Sequence, residues 1–264
     1  MPLSDGHVHS EWSWDAREGS GDHAGSMVET CDRAVQLGLE SVAFTDHLDY
    51  TPWEVDLDEL DGLDSLKVYV SGSTLTPPPF DVDGYLESIE RCRAEYPAVR
   101  ILTGVEFGEP HRNADAAVDI LERGQFERIN GSLHSLQEGD RFYEPVGLFR
   151  LKPASEVMRH YLDELCQMIE TSEFDVLSHI QYATRGWPQH EDPFDLSAFE
   201  NDFRRALRLL ARRGRALEIN TRDAFRPALL TWWREEGGGA ITYGSDAHSA
   251  RVLANRIAKA VATT

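Results

Sequence analysis

Hydrophobic residues in this chain fall into short continuous runs that alternate with longer stretches at helical spacing. The runs predict strands at 3–8, 41–46, 99–106, 128–133, 175–180, 216–220 and 240–245. Between them, Met27, Cys31, Ala34 and Val35 form one helical stripe, Val157, Tyr161, Leu165 and Met168 a second, and Phe199, Phe203, Ala206 and Leu210 a third. Gly38 and Gly214 follow two of these helices, where a left-handed cap is wanted. Strand–helix alternation predicts parallel pairing through right-handed crossovers, and burial on both faces explains strands that are apolar throughout. Seven such units predict a closed or nearly closed α/β barrel, expected as a single domain over 1–264. No tandem repeat or low-complexity tail interrupts the pattern.

The strands end in polar residues of metal-binding type: His7-Val8-His9, Asp46-His47, Glu106, His134, His179, Asn220 and Asp246-Ala247-His248. Six of the ten histidines occupy these ends. Because a strand repeats every two residues, His7 and His9 share a face, as do Asp246 and His248. In a closed barrel the first and last strands are neighbours, so the two pairs meet. The C-terminal strand ends of such a barrel form its active face, whereas an open doubly wound sheet gathers its site at one switch point. Histidine and carboxylate converging from separate strands suit Zn, Fe or Mn, which points to metal-assisted hydrolysis. A carboxylate at Glu106, behind an apolar run, has to be paired with a cation or bound to a metal. His23, His111 and His160 read as surface residues. His190, in the loop after His179, is either a surface residue or within reach of a substrate.

A formal charge of −20 argues against a broad nucleic-acid or anionic-membrane surface. It leaves room for an anionic substrate, since two or three divalent cations reverse the local potential of a pocket. Cys31, Cys92 and Cys166 show no CxxC spacing and fall in helical stretches, which makes them core residues rather than ligands. No apolar run reaches membrane-spanning length and no signal segment opens the chain, so a cytoplasmic protein is expected. The oligomeric state has no signature in the sequence. The stretch 49–80 is acidic at Asp56, Asp58, Glu59, Asp61 and Asp64, then rich in Ser, Thr and Pro. It reads as a solvated excursion or as a lid over the site, and 135–153 as a second wall. Trp12, Trp14, Trp53 and Trp187 fall in loops of the active face, where they either wall a pocket or cap the barrel.

The ordered set DGHVHS (5–10), AFTDH (43–47), GVEF (104–107), GSLH (131–134), LSHI (177–180), LEINT (217–221) and GSDAH (244–248) resembles the polymerase-and-histidinol-phosphatase (PHP) superfamily, its histidinol-phosphate phosphatase branch in particular. The resemblance implies a distorted (β/α)7 barrel with two to three divalent ions (Zn, Mn or Fe) at the C-terminal ends of its strands. It assigns His7, His9, Glu106 and Asp246 to one ion, and Glu106, His134 and His179 to a second. His47, His248 and Asp15 fall to a third. Relatives carry histidine where this chain has Asp15, a departure toward oxygen ligation. Glu106, His134, Asp246 and His248 are expected at the reacting centre.

The implied activity is hydrolysis of a small phosphate monoester, L-histidinol phosphate, by a hydroxide held between metals. The ions neutralise the dianion and lower the pKa of water. Arginine matches phosphate oxygens with its planar fork, and Arg185, after His179, and Arg222, after Asn220, are the expected clamps, with Asn220 beside them. The rival readings are a phosphodiesterase or nucleotide phosphatase of the same fold, a proofreading or accessory nuclease module, and a metal-binding protein without catalysis.

Overall fold

The computed structural model describes residues 3–15, 25–56, 60, 65–223 and 226–264. Seven parallel strands form one sheet in chain order: β1 (Ser4–Val8), β2 (Ser41–Leu48), β3 (Arg100–Gly108), β4 (Arg128–Ser132), β5 (Val176–Leu177), β6 (Ala216–Asn220) and β7 (Ile241–Gly244). The sheet curls until its ends meet. A parallel bridge joins Val8 to Ala247, His9 N donates to Ala247 O at 2.8 Å, and Asp246 N donates to His7 O at 2.9 Å. Closure occurs at the C-terminal rim, where the candidate ligands lie. This is the nearly closed barrel that the strand–helix alternation predicts.

Strands β2 and β3 run longer than expected, because they pair without interruption from Ser41↔Arg100 to Leu48↔Phe107 and place His47 beside Glu106. The fifth strand is shorter than its apolar run suggests. Ser178 N makes the last ladder bond, to Gly131 O at 3.1 Å; then His179 N donates to Glu218 Oε2 at 2.8 Å, and a 3₁₀ turn over Tyr182–Gly186 follows.

The helices obey their local signals. Ser26 and Glu29 form a reciprocal capping box at the start of Met27–Leu37, and Gly38 ends that helix with φ 66°. Met27, Cys31 and Ala34 are buried on the barrel, while Val35, placed on the same stripe by the sequence, is exposed. The helices Ala154–Thr171 and Glu200–Arg212 bury Tyr161, Leu165 and Met168 against Phe203, Ala206 and Leu210 in the largest core cluster. All three cysteines are free and buried, as core residues should be.

The two long excursions are not independent loops. They pair into a five-stranded sheet in the order Val70–Ser71, Thr74–Leu75, Trp53–Glu54, Arg141–Tyr143 and Leu136–Glu138. Strands of two or three residues carry no period-two signal, which is why the sequence does not announce them. Asp58, Glu59, Asp61 and Asp64 of the acidic stretch lie outside the described residues, as does His23. Among the described residues no helix is long and apolar enough to cross a membrane.

Candidate metal centre

Glu106 ends an apolar run of β3, and five imidazoles surround its carboxylate. His7 Nε2, His9 Nε2 and His47 Nδ1 lie 3.1, 3.3 and 3.4 Å from Oε2. His179 Nε2 and His134 Nε2 lie 2.5 and 3.2 Å from Oε1. Burial alone would raise this carboxyl's pKa, but the imidazoles of His7, His134, His179 and His47 outweigh it and hold it well below the usual range. Burial would likewise depress His7, yet Glu218 and Glu106 lift it well above an ordinary histidine. At His179 burial prevails over Glu106 and the value falls.

Donor atoms gather in four overlapping groups: His9, Asp15, His47 and His248; His7, His9 and Asp246; His7, Glu106 and His179; and His47, Glu106 and His134. Every residue expected as a ligand from the sequence is present in this cluster. Asp15 belongs to it by geometry, with Oδ2 2.9 Å from His248 Nε2 and 3.5 Å from His47 Nε2.

The outer hydrogen bonds test whether these residues suit a cation. Ser13 Oγ donates to Asp46 Oδ1 at 3.0 Å and accepts from His47 N at 3.0 Å. It therefore receives a proton from His9 Nδ1, 2.9 Å away. His7 Nδ1 donates to Glu218 Oε1 at 2.7 Å. Both rings then turn lone pairs at Nε2 toward each other, 3.1 Å apart. Two facing lone pairs repel unless a cation, a proton or a metal ion, sits between them. The donor set fits a divalent metal, and its outer partners have the carboxylate–histidine pattern that fixes a metal ligand.

Asp246 follows β7 with φ 54°, a left-handed conformation that aspartate tolerates better than most residues. Its carboxylate receives Arg185 Nη2 at 2.8 Å on Oδ2 and Arg222 Nη1 at 3.3 Å on Oδ1. Burial would raise its pKa, but Arg222 and Arg185 keep it well below the usual range. Both arginines reach a cavity of about 550 Å³ above the cluster. Asp15, His47, Glu106, His134, His179, Asp246 and His248 form its polar floor, and Trp14, Trp53, Val55, Leu60, Leu66 and Leu75 form an apolar wall. The excursion 49–80 thus supplies a wall of the cavity.

Some expectations need correction. Asn220 does not line the cavity: it is buried, Nδ2 donates to Glu218 Oε2 at 3.1 Å, and Oδ1 accepts from Arg222 N at 3.1 Å. Its hydrogen bonds are spent on the strand ends beneath the site. His111 is no surface residue, because its side chain is buried against Glu164, with Nε2 3.1 Å from Oε1. His160 is half-buried on the same carboxylate, and His190 is exposed. Trp12 packs into the core and Trp187 against Phe149, Phe194 and Phe199, so neither walls the cavity.

Sequence reasoning passed over Glu218, Asp49 and Glu109. Glu218 lies inside ALEIN, where a carboxylate among apolar strand residues signals a buried partner. Gly244 makes room for it, since a Cβ there would collide with the Glu218 carboxylate. Glu109 Oε1 accepts His134 N at 2.7 Å and Ser135 N at 2.9 Å, a contact between loops that no local pattern reveals.

The family model for the PHP domain matches residues 5–222. The chain belongs to the PHP domain family. The matched segment runs from Asp5 of β1 to Arg222, so Asp246 and His248 lie beyond it and reach the PHP centre through barrel closure. Among curated proteins the chain is 26% identical over 261 residues to histidinol-phosphatase of Lactococcus lactis subsp. lactis, covering 95% of this chain and 86% of that protein. It is 23% identical over 252 residues to the probable histidinol-phosphatase of Clostridium acetobutylicum, covering 92% and 86%. Among solved structures, the Lactococcus lactis histidinol phosphate phosphatase complexed with zinc, L-histidinol and phosphate superposes with a TM-score of 0.80 at 24% identity, covering 99% of this chain and 92% of that one. At that identity the superposition establishes the fold, a PHP barrel.

Proposed function

We propose that this PHP chain is a metal-dependent phosphomonoesterase that cleaves L-histidinol phosphate with water to L-histidinol and inorganic phosphate. The observation that carries the reading is the two-sided cavity. One side holds a buried His/Asp/Glu cluster flanked by Arg185 and Arg222, and the other is aromatic and aliphatic. A phosphate dianion fits the first side and a small flat alcohol the second. The names of the relatives support the same substrate.

His7, His9, Asp246 and Glu106 are proposed to hold one divalent ion, Glu106, His134 and His179 a second, and Asp15, His47 and His248 a third. Zinc is the first candidate, with manganese and iron suited to the oxygen-richer Asp15 position. Bound there, such ions neutralise phosphate charge and lower the pKa of water toward neutrality. The chain's own side chains orient the ester. Arg185 and Arg222 present guanidinium N–H groups to the phosphoryl oxygens while their carboxylate partners keep them in place. Trp14 and Trp53 cover the leaving group and keep bulk water from the reacting face. One barrel unit suffices for this chemistry.

The test is a panel of esters assayed with the purified, zinc-loaded protein. L-Histidinol phosphate should show the highest kcat/KM, ahead of nucleotides and of bis-p-nitrophenyl phosphate. Preference for the diester would replace this reading with a phosphodiesterase of the same fold.

A further inference from the structure

Asp49 stands two residues beyond His47, at the end of β2, and is buried. Its Oδ2 lies 3.3 Å from His47 Nδ1, which is also 3.4 Å from Glu106 Oε2, and its Oδ1 lies 3.6 Å from His134 Nδ1; both Asp49 contacts are charge contacts outside hydrogen-bond geometry. The other ring nitrogens of these histidines face the candidate ligand atoms: His47 Nε2 faces Asp15, and His134 Nε2 faces Glu106. Trp14 Nε1 donates to Asp49 Oδ2 at 2.9 Å, and the Trp14 ring is part of the apolar wall. Room for this carboxylate is made by Gly108 on the neighbouring strand, because a Cβ there would collide with Asp49 Oδ1.

We infer that Asp49 is a positioning residue shared by two ion sites: the charge of one carboxylate favours the proton of His47 and of His134 on Nδ1, which leaves Nε2 of each ring bare. The same carboxylate fixes the Trp14 indole, so the apolar wall is set in register with the ligand histidines. It acts through those rings and is not itself a ligand. The inference rests on the metal-dependent reading above, though on no particular substrate.

Zinc binding tests it without any assay of hydrolysis. Competition with a chromophoric chelator gives the affinity of each bound equivalent, and elemental analysis at saturating zinc gives the stoichiometry. Losing an outer carboxylate costs about 10- to 100-fold in metal affinity. Asp49→Asn should show a loss of that size with full stoichiometry at saturation and an unchanged melting temperature of the metal-free protein. Asp49→Ala should lose at least as much. Gly108→Ala, which keeps the charge and displaces it, should reproduce the weaker binding; if that variant does not fold, the two Asp49 variants decide. Wild-type zinc affinity in Asp49→Asn would overturn the inference. So would the absence of one whole equivalent at saturation, which would make Asp49 a ligand. A wild-type chain that binds no zinc would overturn it together with the metal-dependent reading.

Discussion

Replacing Arg185 by alanine separates substrate recognition from ion binding. Its Nε donates to both oxygens of Asp223 at 3.0 Å, and Nη2 donates to Asp246 Oδ2 at 2.8 Å. The guanidinium also sits over the Tyr182 ring, 5.0 Å from its centroid. Of its five N–H groups these contacts occupy two, and the other three make no hydrogen bond to the described residues. They are the ones that a phosphoryl group entering the cavity can use. Loss of a charge-assisted, bidentate contact in a desolvated pocket costs about 2–4 kcal/mol, or roughly 30- to 1,000-fold in kcat/KM. Arg222 is more exposed and makes one contact with Asp246 at 3.3 Å. Solvent screening reduces its share to about 1 kcal/mol, roughly fivefold. Phosphate release from L-histidinol phosphate should therefore fall in the order Arg222→Ala, then Arg185→Ala, then the double variant. Zinc content should not change, because each single variant leaves Asp246 one arginine. Arg123→Ala is the control, since that arginine lies on an outer helix and pairs with Asp83 and Asp119. If Arg185→Ala matches the control in kcat/KM, or if its defect tracks lost zinc, the clamp is refuted.

Glu106→Ala should strip more than one equivalent of zinc and nearly all activity, because five histidines converge on its two oxygens; elemental analysis showing wild-type zinc would contradict the bridging role. Asp15→Ala should empty the position beside His47 and His248 while the others stay filled, and Asp15→His should restore it, both read by zinc stoichiometry. Glu164 is raised by burial but held well below its ordinary 4.5 by His111, His160 and Arg112, so the stability it adds is present above that pH and is lost as the pH falls through the lower folded value. Glu164→Gln should accordingly be less stable than wild type to urea at pH 7, by a margin that narrows below pH 4.5. A margin independent of pH would refute the assignment.

The barrel was legible because parallel strands buried on both faces leave apolar runs that a single sequence exposes. The candidate ligands were legible for a related reason: a histidine or carboxylate ending such a run must face the rim. Asp15 was harder, since it lies on no strand, and only the motif spacing pointed to it. Side chains that act across the chain were invisible. Asp49 contacts Trp14, 35 positions away, and His134, and Glu218 reaches His7 across barrel closure. Asn220 misled for the opposite reason. Its place at a strand end suggested a cavity residue, but alternation puts Glu218 on the same face, and the two side chains bond each other beneath the cavity. The small sheet stayed hidden because its strands are too short to show periodicity.

If a metal cluster on this barrel hydrolyses L-histidinol phosphate, removing the metal must abolish the reaction. Protein stripped with a chelator should release no phosphate from that ester, and activity should return as zinc is titrated back to two to three equivalents per chain. Full activity in the stripped protein, or saturation with zinc that restores none, would refute metal-dependent hydrolysis at this site.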